Sequence, residues 1–466
     1  MSQGLPQEVN FNLALPKYLP AAKKTHLRVQ PYNGGPTWSG ANSSINVRLP
    51  SKARTFMMPV SLYAKYNVLH TLTGTLNATA NLTASYLIGD GKSYFRHIYI
   101  TQNNGGDVDK VQEVGVFSNI VKKCTLNEAQ VRSKALIMGG TVSEQHASTN
   151  VGLVINNAGV TGAGNTNMRV SFCEPLYNAL TNAPTLLPMW GKELNFEFVL
   201  EDVANIIVNK DSANGITGFT VENFELVVEC LELEEASFNW LMAQNGNPSV
   251  MQFKSETYMY SSSTLSGSGR RDIIFPFNCS SLKAFIWNAW TSNTHERKFG
   301  GVNPNLNTFQ LVLDGETYPN LPIRYNESPA EVAAYNAKAM GSLYSSDHVG
   351  SLRPLTFRKA VTANYAGNNL WLGEATNAST GTVINNSFEG SAIQNQERSN
   401  MQYNILDLEK ISHSKDNLYA GVKVSDGLIQ YDVRADLGTT VNVNFFAVVD
   451  CIVQFDNTSG LYNVVR

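Results

Sequence analysis

Phe309-Gln310-Leu311-Val312-Leu313-Asp314-Gly315-Glu316-Thr317-Tyr318-Pro319-Asn320-Leu321-Pro322-Ile323 reads as a β-strand, a tight turn and the start of the return. A run rich in Phe, Leu and Val that stops at Asp-Gly is how a half-buried strand enters a hairpin. The same grammar surrounds it. Upstream, Phe253 to Ser261, Asp272 to Phe277 and Ser281 to Trp290 are strand-like; downstream, so are Asn404 to Leu408, Gly421 to Val424, Leu428 to Val433 and Thr440 to Phe455. The last is long, nearly continuous, and expected to end the second domain. One helix interrupts the pattern at Pro329 to Tyr344. Ser328 caps it, Pro329 takes the first position, Glu331 can close a capping box, and Val332, Tyr335, Ala339 and Leu343 follow helical spacing.

The first half of the chain repeats this plan. Val47 to Leu49, Phe56 to Tyr63 and Phe95 to Thr101 are short β-rich runs, the last with Ile98 and Ile100 on one face and a turn at Asn103 to Gly106. Asp109 can then cap a helix carrying Val111, Val114, Phe117 and Val121, and Leu126 to Met138 reads as a second. Met168 to Cys173 and Leu194 to Leu200 return to strands. Val221 to Leu233 closes the half, with Phe224, Leu226, Val228 and Cys230 on one face. A short helix is expected over Glu234 to Asn245, and Gly246-Asn247-Pro248 marks a boundary. The expected organisation is an N-terminal arm over 1–36, a first β domain over 37–245 and a second over 246–466. Each holds about eight strands, with long polar surface loops at Gly139 to Asn167 and Gly367 to Glu397. No repeat of 20 to 50 residues is present, which excludes solenoids and propellers. The fold class is all-β, with two tandem sandwiches or barrels.

Composition narrows the function. The 466 residues are 43% hydrophobic and 10% aromatic but only 16% charged, against a norm of about 25% charged. A folded chain this poor in charge keeps soluble through Asn, Ser, Thr and Gly, or hides surface against other chains. The net charge is −3 and no polybasic run occurs, so there is no strong nucleic-acid-binding signal. Lys17, Lys23, Lys24, His26 and Arg28 form the nearest basic cluster, read as a solvated arm or a contact with an inner surface, a neighbour or genome. Cys124, Cys173, Cys230, Cys279 and Cys451 are widely spaced and odd in number, as free thiols of a reducing compartment are. Met1 to Phe11 lacks the features of a signal peptide, so synthesis inside the cell is expected. No run reaches the roughly 18 apolar residues of a membrane span. Sequons such as Asn77-Ala78-Thr79 and Asn81-Leu82-Thr83 are by-products of polar loops.

Catalytic signatures are missing. HExxH, CxxC, GxSxG and GxGxxG do not occur, and His97 reads as a strand histidine rather than a ligand. Gly91-Lys92-Ser93 resembles the tail of a phosphate-binding loop, but Tyr86 stands where its first glycine belongs and a strand follows, so a turn is the reading. Gly267-Ser268-Gly269 is likewise a turn. Glu229, Glu232, Glu234 and Glu235 read as solvated edges rather than a glycosidase acid pair. The expectation is no enzyme: no catalytic residue, no cofactor, no metal.

The chain resembles double jelly-roll major capsid proteins, most closely those of polinton-like viruses, virophages and adintoviruses. The resemblance rests on Leu87-Ile88-Gly89-Asp90-Gly91 leading to Phe95 to Thr101, on the stretch Val111 to Val121, on Val221 to Glu229, and above all on the strand-Gly-x-x-Tyr-Pro-x-x-Pro-Ile phrase ending at Ile323. It implies two tandem eight-stranded jelly-roll barrels per subunit. It further implies a homotrimer that forms a pseudo-hexameric block and tiles an icosahedral shell around a double-stranded DNA genome. Location in the virion, neighbouring capsomers, penton and minor capsid or cement proteins, and an inner membrane beneath the arm are further implied. The alternative is a glycan-binding β-sandwich, such as a lectin or viral spike, which would place aromatic residues on exposed loops. Trp371 falls in the second polar loop, whereas Trp287, Trp290 and Tyr318 lie in or beside strand-like runs, as core residues do.

Overall fold

The computed structural model describes residues 22–73, 85–87, 89–102, 106–125, 167–209, 215–290, 297–299, 306–324, 329–339, 374–376, 383–385, 403–410, 420–433 and 440–466. Two sets of eight strands carry the fold. The first set is β1 (Ala22–Val29), β2 (Ser44–Leu49), β3 (Tyr63–Thr73), β4 (Phe95–Gln102), β5 (Asp107–Gln112), β6 (Asn167–Pro175), β7 (Leu194–Leu200) and β8 (Gly215–Leu233). The second is β9 (Val250–Leu265), β10 (Gly269–Ile274), β11 (Cys279–Trp290), β12 (Leu306–Leu313), β13 (Glu316–Arg324), β14 (Tyr403–Asp407), β15 (Gly427–Val433) and β16 (Val441–Asp456).

Their pairing repeats with an offset of eight. In the first set one sheet runs β5-β4-β7-β2 and the other β1-β8-β3-β6; in the second the orders are β13-β12-β15-β10 and β9-β16-β11-β14. All these ladders are antiparallel, and each pair of sheets encloses a core, as jelly rolls do. In the larger sheet of the first barrel, Thr55–Met57, Leu187–Pro188 and Thr37–Ser39 add short strands.

Local sequence explains the register. In β8, Phe219 and Val221 point into the core, and so do Phe224, Leu226, Val228 and Cys230. The inward parity therefore changes between Val221 and Phe224. A bulge makes the change: the register with β3 shifts between Glu222 and Glu225, and Asn223 sits at φ 50°. Around the turn after β12, Asp314 and Gly315 both take positive φ, at 48° and 85°. Asp314 Oδ1 then accepts from the backbone N–H groups of Ser425 (3.0 Å) and Asp426 (2.7 Å), which ties this hairpin to the one before β15.

Three longer helices are α1 (Val114–Thr125), α2 (Glu235–Gln244) and α3 (Pro329–Ala339). Three readings of the sequence change here. The helix expected from Val111 begins only at Val114, because residues 107–112 pair with β4 as β5 and Glu113, at φ 50°, breaks the chain direction. The stretch 1–36 contains β1, which pairs with β8 from Ala22↔Leu233 to Val29↔Leu226. The second barrel does not stop at β16: after a turn at Gly460, Leu461–Val465 pairs back onto it. The helix expected over 126–138 and the loop over 139–166 lie outside the described residues. Of the loop over 367–397, Glu374–Thr376 pairs with Val383–Asn385, and the remainder also lies outside them.

Candidate functional site: the seam between the barrels

The two barrels share hydrocarbon. Val441, Val443, Phe445, Ala447 and Val449 of β16 belong to the second core, while Phe446, Cys451, Val453 and Phe455 of the same strand join the first. Tyr258 of β9 crosses in the same way. Its ring stacks on Phe117 of α1 with centroids 3.9 Å apart, and Phe446 meets Phe117 at 5.5 Å. Farther along, Trp190 meets Phe455 edge-on at 5.7 Å. Gly191 lies so close to Gly460 that a Cβ would overlap its backbone, and Lys192 N–H donates to Gly460 O at 2.7 Å.

Charged groups lock this seam at three places. Asp109, on β5, is 1% exposed. Its carboxylate accepts from Ala179 N (2.7 Å), Thr257 Oγ1 of β9 (2.9 Å), Lys110 N (2.9 Å) and the Arg466 guanidinium. Four donors on two oxygens satisfy a buried carboxylate that would otherwise be costly. The second lock is Lys298, in a 3-10 turn (Arg297–Phe299) between β11 and β12. It reaches Glu113 at 2.6 Å and also Glu201, both in the first barrel, with all three side chains under 10% exposed. Arg96 Nε donates to Glu113 at 3.1 Å, and Glu201 accepts from Asn205 Nδ2 at 2.8 Å and Asp202 N at 3.0 Å. Two cations and two carboxylates leave this cluster neutral. The third is Lys283, which faces Glu256 (3.0 Å), Glu409 (3.2 Å) and Asp450 (3.8 Å), while Tyr177 OH of the first barrel donates to Glu256 at 3.0 Å. Burial opposes the charge on Lys283, yet Glu256, then Asp450 and Glu409, hold its pKa above the ordinary lysine range.

A polar cavity of about 430 Å³ opens beside the second lock, lined by Arg96, Tyr260, Trp290, Lys298, Asn442 and Asn444 among others. Its aromatic hydrogen-bonding groups are turned to the protein. Asn444 Oδ1 accepts from Tyr260 OH (3.1 Å) and Trp290 Nε1 (3.4 Å), and Asn444 Nδ2 donates to Asn288 Oδ1 at 3.1 Å.

The residues singled out in the sequence scatter through the fold. Gly91-Lys92-Ser93 lies in a 3-10 turn capped by Asp90, and a Cβ on Gly91 would overlap Glu174, Phe172 and Tyr66. Gly267 and Gly269 both take positive φ in the turn between β9 and β10. Glu229 pairs with Lys24 at 2.6 Å and Glu235 with Arg54 at 2.9 Å. Trp287 is fully buried in the second core, and Tyr318 packs against it. Trp371 lies outside the described residues. Cys173, Cys230, Cys279 and Cys451 are free thiols. Burial, aided by Asp109, pushes Cys451 up to about 12, and burial pushes Cys279 up to about 11, so both stay protonated and inert. Burial first, then Arg96, lowers His97 to about 4. Among the described residues no group of three or more His, Cys, Asp or Glu is placed to hold a metal, and no helix is long and apolar enough to cross a membrane.

Sequence reasoning missed the locking residues themselves. In the sequence Asp109 reads as a helix cap, and nothing nearby sets Glu113, Glu201, Lys298 or Arg466 apart. The available signal was charge at core-facing positions, such as Glu113 beside buried Val111 and Val114.

No protein-family model matches the chain, and no curated protein sequence does. Solved structures match over nearly the whole length. A chain of the PBCV-1 virus capsid shares 9% identity, with 97% of this chain and 98% of that one covered and a TM-score of 0.55. A chain of the Sputnik virophage structure shares 13%, covering 95% and 88%, with a TM-score of 0.53. The mavirus major capsid protein shares 11%, covering 94% and 90%, with a TM-score of 0.52. The fold is therefore the double jelly roll of these capsid proteins.

Proposed function

We propose that this protein is a viral major capsid protein, a structural component rather than an enzyme. The observation that carries the reading is the repeated eight-strand order, fused through one seam and matching double jelly-roll capsid chains along their length. A single jelly roll serves many functions. Two of them welded side by side make a block with two barrels on its perimeter, and three such blocks close a ring of six. The capsomer is then a pseudo-hexameric homotrimer that tiles an icosahedral shell around a double-stranded DNA genome. Its partners are neighbouring capsomers, with penton and minor capsid or cement proteins at the joints, and an inner membrane below. The barrels divide near residue 246, and the first includes β1 as well as residues 37–245.

The low charged fraction of the chain supports this reading, since obligate interfaces are depleted of charged residues at their centres. The glycan-binding alternative gains no support from the tryptophans, because Trp287 is buried and Trp290 bonds inward. Negative-stain images of the purified protein test the proposal. Threefold particles with a hexagonal outline, growing into shells at higher concentration, are the expected result. A monomer at every concentration rejects it.

A further inference from the structure

The edge of the second barrel carries a knob that the first barrel lacks. β13 pairs with β12 through Leu311↔Tyr318 and Phe309↔Ile323, so the four residues 319–322 stand opposite the single residue Gln310. Gln310 Nε2 pins this bulge by donating to Pro319 O at 2.9 Å and Asn320 O at 3.3 Å. Bulges bend a strand outward and re-aim its side chains. Here Leu321 is left 77% exposed while Ile323, two residues on, is 2% exposed. Pro319 and Pro322 also remove two N–H groups, so this edge is unsuited to adding another strand. It presents a side chain rather than a hydrogen-bonding ladder.

The strand at the same place in the first barrel shows what such an edge meets. β5 pairs with β4 without an outward bulge of this kind, and Val108, Asp109 and Val111 are buried. What β5 meets is the next barrel: Asp109 bonds to Thr257 of β9 and to Arg466, and Tyr258 OH donates to Gln112 O at 3.0 Å. The chain thus contains one complete edge-to-barrel contact, from β5 to β9 and its surroundings. Among the described residues, the second edge, β13, meets no third barrel. By the offset of eight, the surface matching β9 and β16 is β1 and β8 of another copy. Its rim carries exposed ion pairs: Lys24 and His26 of β1 face Glu229, and Arg28 faces Glu225, with the three cationic side chains 53%, 62% and 61% exposed. The hairpin tips beside the knob are acidic, with Asp314, Glu316 and Asp426 all exposed.

We propose that Leu321 and the bulge at 319–322 form the subunit-to-subunit contact of the ring, docking on β1 and β8 of a second copy of this chain. This rests on the trimeric reading above and assigns its interface. The test is native mass spectrometry of the full chain at a series of concentrations, with unfolding midpoints recorded in parallel. Leu321→Asp should lower trimer affinity at least tenfold, and Arg28→Glu should lower it in the same direction, while midpoints measured where both proteins are monomeric stay unchanged. Ile274→Asp, at a site 73% exposed on β10 at the opposite edge of the same sheet, should leave the trimer intact. Trimers of Leu321→Asp as tight as the parent's overturn this interface and leave the capsomer reading standing. A parent chain that never trimerises overturns both.

Discussion

Lys298 is the residue on which the seam depends most, with Glu113 and Glu201 both in contact with its ammonium group. It joins the barrels by neutralising two buried carboxylates, and removing one partner of such a group leaves uncompensated charge out of water. Lys298→Met is expected to lower stability in urea by about 3–5 kcal/mol, and adding Glu113→Gln with Glu201→Gln should recover much of the loss. If Lys298→Met unfolds at the parent midpoint, the lock has no energetic role. His97 adds a pH dependence whose sign follows from its lowered pKa. Unfolded, the ring takes a proton below about 6.5; folded, it does so only near 4. Its contribution is therefore intact above pH 6.5 and is lost as the pH falls from there toward 4. The full shift corresponds to roughly 3 kcal/mol, which its partial exposure to solvent reduces to about 1–2 kcal/mol. His97→Gln should flatten the acid side of the stability profile in that window, and an unchanged profile would count against the assignment. Such residues were hidden in the sequence because buried polar groups obey partners distant along the chain. Asp109 looks like a cap because its neighbours show helical spacing, and nothing near it names Arg466.

Strands were legible as elements wherever one face was buried. The alternation in β4, β7 and β15 survives in the structure, since each keeps one face on a core and the other outward. Several elements escaped for different reasons, among them β3, of which the run read over Phe56 to Tyr63 catches only the first residue. β5 carries valines that fit a helix as well as a strand, and long-range pairing with β4 decided between them. β1 is an exposed strand held largely by β8, and its Lys, His and Arg side chains disguise it as a tail. The C-terminal strand was also unread, although it carries two of the seam's contacts: Tyr462 N–H donates to Gln102 Oε1 at 2.6 Å, and Arg466 meets Asp109. Deleting residues 461–466 should loosen the barrels while each keeps its own sheets. Faster proteolysis between β8 and β9, with far-ultraviolet circular dichroism unchanged, is the expected signature. Cleavage at the parent rate would show that the strand is dispensable to the seam.

For the whole molecule, the shared hydrocarbon means that the barrels do not behave as independent domains. Loosely joined domains unfold separately, whereas a large apolar interface couples them. Calorimetry of the monomeric chain should give one transition whose calorimetric and van't Hoff enthalpies agree; two resolved transitions would show that the barrels unfold independently. The duplicated plan was visible in the sequence as strands, a helix, a polar loop and a long closing strand, each met twice. The offset-of-eight pairing was not visible, because strand order is set by which edges meet in space. Cryo-electron microscopy of the assembled capsomer is the decisive measurement. Six barrel densities in one ring are expected, alternating between the two barrels of three chains, with the bulge at 319–322 against β1 of the next subunit. A map with another number of barrels around its axis, or with the two barrels of a chain separated, would contradict it.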